Sequence, residues 1–151
     1  MSMQASRNLY QQLILEHNKS PRNFGEPSDF THFAEGVNPM CGDQYRIWVK
    51  LSEKEKDTIE KVHFDGQGCA ISKASASIMT DQLKGKTVSQ AHTLFEQFRK
   101  MIQEGDEHSE QLGKLQIFSS VHKFPARVKC AILAWHAFEG ALRNEVSVST
   151  E

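Results

Sequence analysis

The chain has 151 residues, of which 38% are apolar and 25% charged, enough to build a core as a single domain, 1–151, without cross-links. Eighteen basic residues against nineteen acidic ones, a formal net charge of −1, give no electrostatic case for a nucleic-acid or anionic-membrane partner. No apolar stretch reaches the roughly eighteen residues that a membrane span requires.

Residues 6 to 18 read as a first helix, with Leu9, Tyr10, Leu13, Ile14 and His17 on one face; "KSPRNFG" ends it with a proline and a glycine. Residues 31 to 36 carry a weak strand pattern. "QYRIWVKL" alternates, Tyr45, Ile47, Val49 and Leu51 facing one way and Gln44, Arg46, Trp48 and Lys50 the other, as in a half-buried strand. The polar run "SEKEKD" turns the chain back into "TIEKVHFDG", and so short a link makes the pair antiparallel. From Ile71 the period becomes helical (Ile71, Ala74, Ser75, Ile78, Met79, Leu83), with Gly85 as a stop. Thr87 and Gln90 form a capping box for a helix whose stripe is Val88, Ala91, Leu94, Phe95, Phe98, Met101 and Ile102. After the polar stretch "EGDEHSEQLGK", Pro125 opens a last helix burying Val128, Ala131, Ile132, Trp135, Phe138 and Leu142; the tail "NEVSVSTE" reads as frayed. Strands followed by helices, with short antiparallel links, argue for an α+β layer of helices on one face of a sheet.

The opening "MSMQASRNLYQQLILEHNKS" lacks a basic region followed by an unbroken apolar run, so no secretory signal and a cytoplasmic location are expected. Three cysteines, an odd number, then point to free or metal-bound thiols rather than a disulfide framework. Each lies where the pattern changes. Cys41, in "NPMCGD", occupies a turn before a strand, with Gly42 letting its thiol and the Asp43 carboxylate converge. Cys69 follows "DGQG" between a strand and a helix, and Cys130 falls in the first turn of the last helix, five residues after Pro125. Element ends are where a scaffold gathers distant residues, and a helix start favours a thiolate. Three thiols and a carboxylate suit zinc or an iron–sulfur cluster, although the spacings match no zinc-finger pattern. The seven histidines show no metal-helix pairing, "GQGCAIS" lacks the lysine of a phosphate loop, and there is no Pro-Cys-x-x-Cys of a zinc deaminase.

"HNKSPRNFG", "NPMCGD", "GQGCAISKASASIMTD" and "ARVKCAILAWHAFEGAL" stand in an order that resembles the U-type iron–sulfur assembly proteins, the IscU/SufU/NifU N-terminal family, from about His17 to Leu142. The resemblance implies a three-stranded antiparallel sheet with helices packed on one face, and a site built from Cys41, Asp43, Cys69 and Cys130. Lys129 stands where IscU-type scaffolds carry a histidine, "KFPARVK" replaces the segment their Hsp70 system reads, and the stretch between the second and third cysteines is longer. These departures resemble the SufU branch. They imply zinc held by Cys41, Asp43, Cys69 and Cys130, and sulfur taken from a cysteine desulfurase of the SufS type for downstream iron–sulfur assembly proteins. Such a chain is a sulfurtransferase-like partner rather than a free-standing enzyme.

Within that reading the persulfide acceptor is Cys41, whose Gly-flanked turn permits motion, with Cys130 the runner-up; Arg127 and Lys129 would steady the added negative charge. The rival within the pathway is a scaffold on which a [2Fe-2S] or other cluster is assembled on the same ligands. A zinc-stabilised adaptor without chemistry is the rival from another class. An aspartate ligand and glycine-lined surroundings favour a reactive site over a closed structural one.

Overall fold

The computed structural model describes residues 3–105 and 110–150, with side chains from residue 9 onward. In chain order the elements are α1 (Met3–Lys19), β1 (His32–Asn38), β2 (Asp43–Leu51), β3 (Ile59–Gln67), α2 (Ala70–Leu83) and α3 (Val88–Glu104). A stretch of 3-10 turns (Glu110–Lys123, broken at Gly113), α4 (Pro125–Leu142) and β4 (Ser147–Ser149) complete the chain.

The alternation in β2 sorts its side chains as the sequence requires. Asp43, Tyr45, Ile47 and Val49 are buried beneath the helices, while Gln44 and Arg46 face solvent. Ile47 lies opposite Ala34 of β1 on one side and Phe64 of β3 on the other, both pairings antiparallel. Trp48 departs from the pattern. It shares the outward face but is only 3% exposed, with the Phe33 ring 5.6 Å away and the Arg46 guanidinium 5.1 Å above its own ring.

The α+β layering holds, and the three antiparallel strands gain a fourth, giving the order β3-β2-β1-β4. The tail is therefore not frayed. Ser147 to Ser149 pair parallel with β1, fixed by Glu35 N–H to Val146 O (2.9 Å) and Thr150 N–H to Val37 O (3.1 Å). Three residues are too few to show a period, and their docking depends on Gly140, where a Cβ would stand 2.7 Å from the Val148 side chain.

The Thr87–Gln90 capping box forms as expected, and Gly105 closes α3 in the left-handed conformation. Helix α1 lays Tyr10, Leu13, Ile14 and the buried His17 toward the core, but Leu9 stays exposed. Helix α4 shows no single stripe because it runs through the centre, with β1 and β2 on one side and α2, α3 and the 3-10 turns on the others. Part of the polar stretch, residues 106–109, lies outside the described residues; the 3-10 turns beyond it bury Leu112, Leu115 and Phe118.

One hydrogen-bonded chain fixes α4 against α2. Trp135 Nε1 donates to Ser75 Oγ (3.1 Å), and Ser75 donates to the Ala131 carbonyl (2.6 Å), while Trp135 stacks on Phe98 at 4.9 Å. A buried indole N–H needs such a partner. The contact sets the height of α4 against α2 one turn beyond Cys130.

Candidate metal centre

Four segments meet at one end of the sheet. The turn between β1 and β2 is tied by the Cys41 and Gly42 N–H groups to the Asn38 carbonyl (3.2 and 2.9 Å), and Gly42 has φ 71°, a conformation glycine adopts without strain. Asp43, the first residue of β2, points inward and is 2% exposed. Cys69 is the N-cap of α2, its sulfur accepting the Ser72 N–H at 3.4 Å. Gly68, just before it, leaves open a space that a side chain would take from its neighbours. A Cβ there would stand 2.5 Å from Ser72 Oγ, 2.6 Å from Asp43 Oδ1 and 2.6 Å from the Tyr45 hydroxyl. Cys130 is buried in the second turn of α4, not the first, since Pro125 begins the helix.

The ligand atoms of Asp43, Cys69 and Cys130 lie within 4.8 Å of one another. Asp43 Oδ1 accepts the Cys69 backbone N–H at 3.0 Å, whereas its Oδ2 is buried with no donor. Burial pushes the Cys130 thiol well above the ordinary range, with Cys69, Asp43 and Cys41 adding to the effect. Burial likewise raises Tyr45, and the charges of Asp43, Cys69 and Cys130 reinforce it. A buried carboxylate oxygen without a donor, on a side chain within 4.8 Å of two thiols, belongs to a donor set that suits a cation. The residues fit a metal ion.

Cys41 lies outside that convergent set. Its side chain is exposed, although it remains near enough to Cys130 to affect its ionisation. It lines a shallow groove of about 250 Å³ with Met40, Pro125, Ala126 and Lys129. Lys129 thus stands beside the exposed thiol, whereas Arg127, also exposed, does not line the groove. Larger hollows lie on the outer sheet face around Arg46 and Asp65 and beside His17, and none of the three thiols lines them.

The family described as NifU-like N terminal domain matches residues 9–131. The chain belongs to that family, which unites the NifU, IscU and SufU proteins. It is similar to the zinc-dependent sulfurtransferase SufU of Bacillus subtilis strain 168, 42% identical over 139 residues and 91% of each chain. It is also 37% identical over 149 residues to the iron–sulfur cluster assembly scaffold protein IscU of Streptococcus pyogenes serotype M1, covering 97% of this chain and 91% of that one. Among solved structures, FiSufU from Fervidobacterium islandicum AW-1 aligns with a TM-score of 0.80 at 34% identity, covering 91% of this chain and 98% of that one. A NifU-like N-terminal structure from Brucella abortus, 19% identical over 95% of this chain and 97% of that one, shares the fold with a TM-score of 0.81.

Three neighbours of the NifU-like site do not stand out in the sequence. Tyr45 reads as one more inward strand residue, yet its hydroxyl lies 2.9 Å from Ser72 Oγ. Ser72 lies outside the periodic pattern of α2 but touches Cys69 through both N–H and Oγ. Asn38 reads as a turn residue, whereas it ends β1 opposite Asp43, fully buried, with neither side-chain polar atom partnered. The signal for Tyr45 and Ser72 was a hydroxyl in a strand's buried register and another three residues past a cysteine N-cap.

Proposed function

We propose that the chain works in iron–sulfur cluster biogenesis, taking persulfide sulfur from a cysteine desulfurase of the SufS type onto Cys41. The carrying observation is the asymmetry of the site, three buried or half-buried donors converging beside one exposed thiol on a glycine turn. Asp43, Cys69 and Cys130 would hold zinc, with Cys41 as the fourth ligand at rest. Bound zinc keeps a thiol deprotonated at neutral pH and leaves it reactive. The zinc dependence named for the Bacillus subtilis relative supports the same reading.

The transfer balances without an oxidant. The Cys41 thiolate attacks the outer sulfur of the desulfurase persulfide, a new S–S bond forms at Cys41, and the old one breaks. The electron pair of the broken bond leaves on the desulfurase cysteine as its thiolate, and the proton stays on the transferred sulfur. Lys129, in the same groove as Cys41, offsets the negative charge of that sulfur when it ionises. Downstream iron–sulfur assembly proteins then receive the sulfur. Three free thiols suit the reducing cytoplasm.

Incubation with a cysteine desulfurase and cysteine, followed by non-reducing peptide mass mapping, is expected to find one added sulfur on the Cys41 peptide. An added sulfur only on the Cys130 peptide would move the acceptor to the runner-up. The scaffold reading, favoured by the same thiol set and by the IscU-type relatives, expects brown protein with stoichiometric iron after anaerobic purification. Colourless protein with about one zinc per chain is the expected result, as four donors suit tetrahedral zinc.

A further inference from the structure

We propose that the hydroxyls of Tyr45 and Ser72 form a hydrogen-bond relay that orients and anchors the Cys69 sulfur as the stationary donor of the site. Tyr45 and Ser72 are thus positioning residues, a role that rests on the zinc reading above.

The proton count at Ser72 carries the argument. Its Oγ donates to the Cys69 carbonyl at 3.0 Å, lies 3.6 Å from the Cys69 sulfur and lies 2.9 Å from the Tyr45 hydroxyl. Its backbone N–H already reaches the same sulfur at 3.4 Å. A sulfur bound to a cation has no proton and only accepts hydrogen bonds. Ser72 then serves it with two donors, N–H and a rotated O–H. Turning the hydroxyl to sulfur leaves the Ser72 oxygen as an acceptor, and Tyr45 O–H stands at 2.9 Å to fill it.

The surroundings hold this order in place. Tyr45 is fully buried on the inward face of β2 with Ile47 and Val49, where a phenol needs a partner for its hydroxyl. Gly68 admits the approach, because any side chain there would press on Ser72 Oγ, the Tyr45 hydroxyl and Asp43 Oδ1 together. Outer-shell hydrogen bonds of this kind fix the direction of a ligand's lone pairs and tune its affinity for the metal. The consequence is a division of labour between sulfurs. Cys69 is tethered from behind by two groups, while Cys41 sits exposed on a turn and is free to carry cargo.

The test uses the full chain and four variants: Tyr45→Phe, Ser72→Ala, Ser72→Thr and the double variant Tyr45→Phe/Ser72→Ala. Zinc affinity is read by competition with a chromogenic chelator, and the thiolate-to-cobalt absorption by cobalt(II) substitution. Tyr45→Phe and Ser72→Ala are each expected to weaken zinc by about tenfold or more, the lower end of outer-shell effects, and to shift the cobalt band. Ser72→Thr, which keeps the hydroxyl, is expected to restore most of the loss. The double variant is expected to be no weaker than Ser72→Ala, because Tyr45 acts through Ser72. Wild-type zinc affinity and an unshifted cobalt band in Tyr45→Phe and Ser72→Ala would overturn the relay, as would additive losses in the double variant. If Tyr45→Phe folds poorly, the cobalt bands of Ser72→Ala and Ser72→Thr decide: a difference supports the relay, and identity overturns it. Wild-type protein that binds neither zinc nor cobalt would overturn the zinc reading and the relay with it.

Discussion

The Asp43 carboxylate accepts the Cys69 backbone N–H at 3.0 Å through one oxygen, while the other, buried as well, has no donor. One side chain therefore ties the start of β2 to the start of α2 and places a carboxylate oxygen within 4.8 Å of the sulfurs of Cys69 and Cys130. Asp43→Asn keeps an acceptor for the N–H but loses the charge. Asp43→Ala loses both, leaving the half-buried Cys69 N–H without its acceptor. Both variants are expected to lose zinc affinity by more than about a hundredfold, beyond the usual outer-shell range. Only Asp43→Ala is expected to lower the melting temperature of the zinc-free protein. Zinc content and sulfur transfer unchanged in both variants would remove Asp43 from the ligand set.

Chelation is expected to loosen the protein without unfolding it. The core centred on Tyr45, Ile47, Phe64, Phe98, Phe118, Trp135 and Phe138 is built from elements that need no cation to meet. Zinc adds stability only through its preference for the folded state. Circular dichroism after chelation is expected to retain most helix signal, with a lower melting temperature that recovers when zinc is returned. Complete unfolding would instead favour an adaptor in which zinc is chiefly structural.

Gly68→Ala is a small change with a large expected effect. Its methyl group would need space held by Ser72 Oγ, Asp43 Oδ1 and the Tyr45 hydroxyl, so three groups around the sulfur of Cys69 must shift. Displacement of site groups is expected to cost zinc affinity more than global stability. Gly42→Ala offers the contrast. Nothing lies within 4 Å of a Cβ at Gly42, and only its φ of 71° opposes the change, at about 1–2 kcal/mol. Zinc titration and urea denaturation of the two variants, side by side, separate crowding from backbone strain.

His17 predicts a slope of stability with pH. Burial holds its ring below the ordinary histidine range, helped by the nearby Arg22, while Nδ1 lies 2.6 Å from Ser77 Oγ and the buried Nε2 has no partner. His136 is lowered for the same leading reason. A depressed histidine pKa means that the unfolded chain binds the proton more readily. Stability is therefore complete above the unfolded value of about 6.5 and falls as pH drops below it, by at most about 1.4 kcal/mol per pH unit for each ring. Urea titrations of zinc-free protein at pH 5.5 and 7.5 are expected to show lower stability at the acid end. His17→Gln is expected to reduce the difference, and an unchanged difference would show that His17 titrates alike folded and unfolded.

Most of the element pattern could be read from periodicity and punctuation. The Thr87–Gln90 box, the Gly105 stop and Pro125 at the start of α4 are local signals, and local physics decides them. Strand β4 was hidden because three residues have no period, and because its place depends on room at Gly140, a residue of α4 rather than of the strand itself. Helix α4 hid the extent of its burial: Cys130, Leu133, Ala134, Ala137 and Ala141 are buried beyond the face read from the sequence, because other elements pack on several of its sides. At the site, the cysteines and Asp43 announced themselves by residue type at element ends. Tyr45, Ser72 and Asn38 did not, since a hydroxyl or amide acquires its meaning only from the partner the fold brings to it.

Both margins of the sheet are partly covered. Along β3, residues Asn23 to Gly25 bond to Phe64 through Phe64 N–H to Asn23 O (3.1 Å) and Gly25 N–H to Phe64 O (2.8 Å). Along β1, the short β4 covers the opposite margin and is itself only three residues long. Among the described residues these contacts cover part of each margin, which shortens the row of free backbone groups that strand addition would use. In the sulfur-transfer reading proposed above, a partner would meet side chains at the end of the sheet, where Met40 is 77% and Phe124 57% exposed near Cys41 and the start of α4. A partner that reads side chains rather than backbone can be refused by changing a single residue. On that reading, specificity for one sulfur donor would be open to evolution without any alteration of the fold.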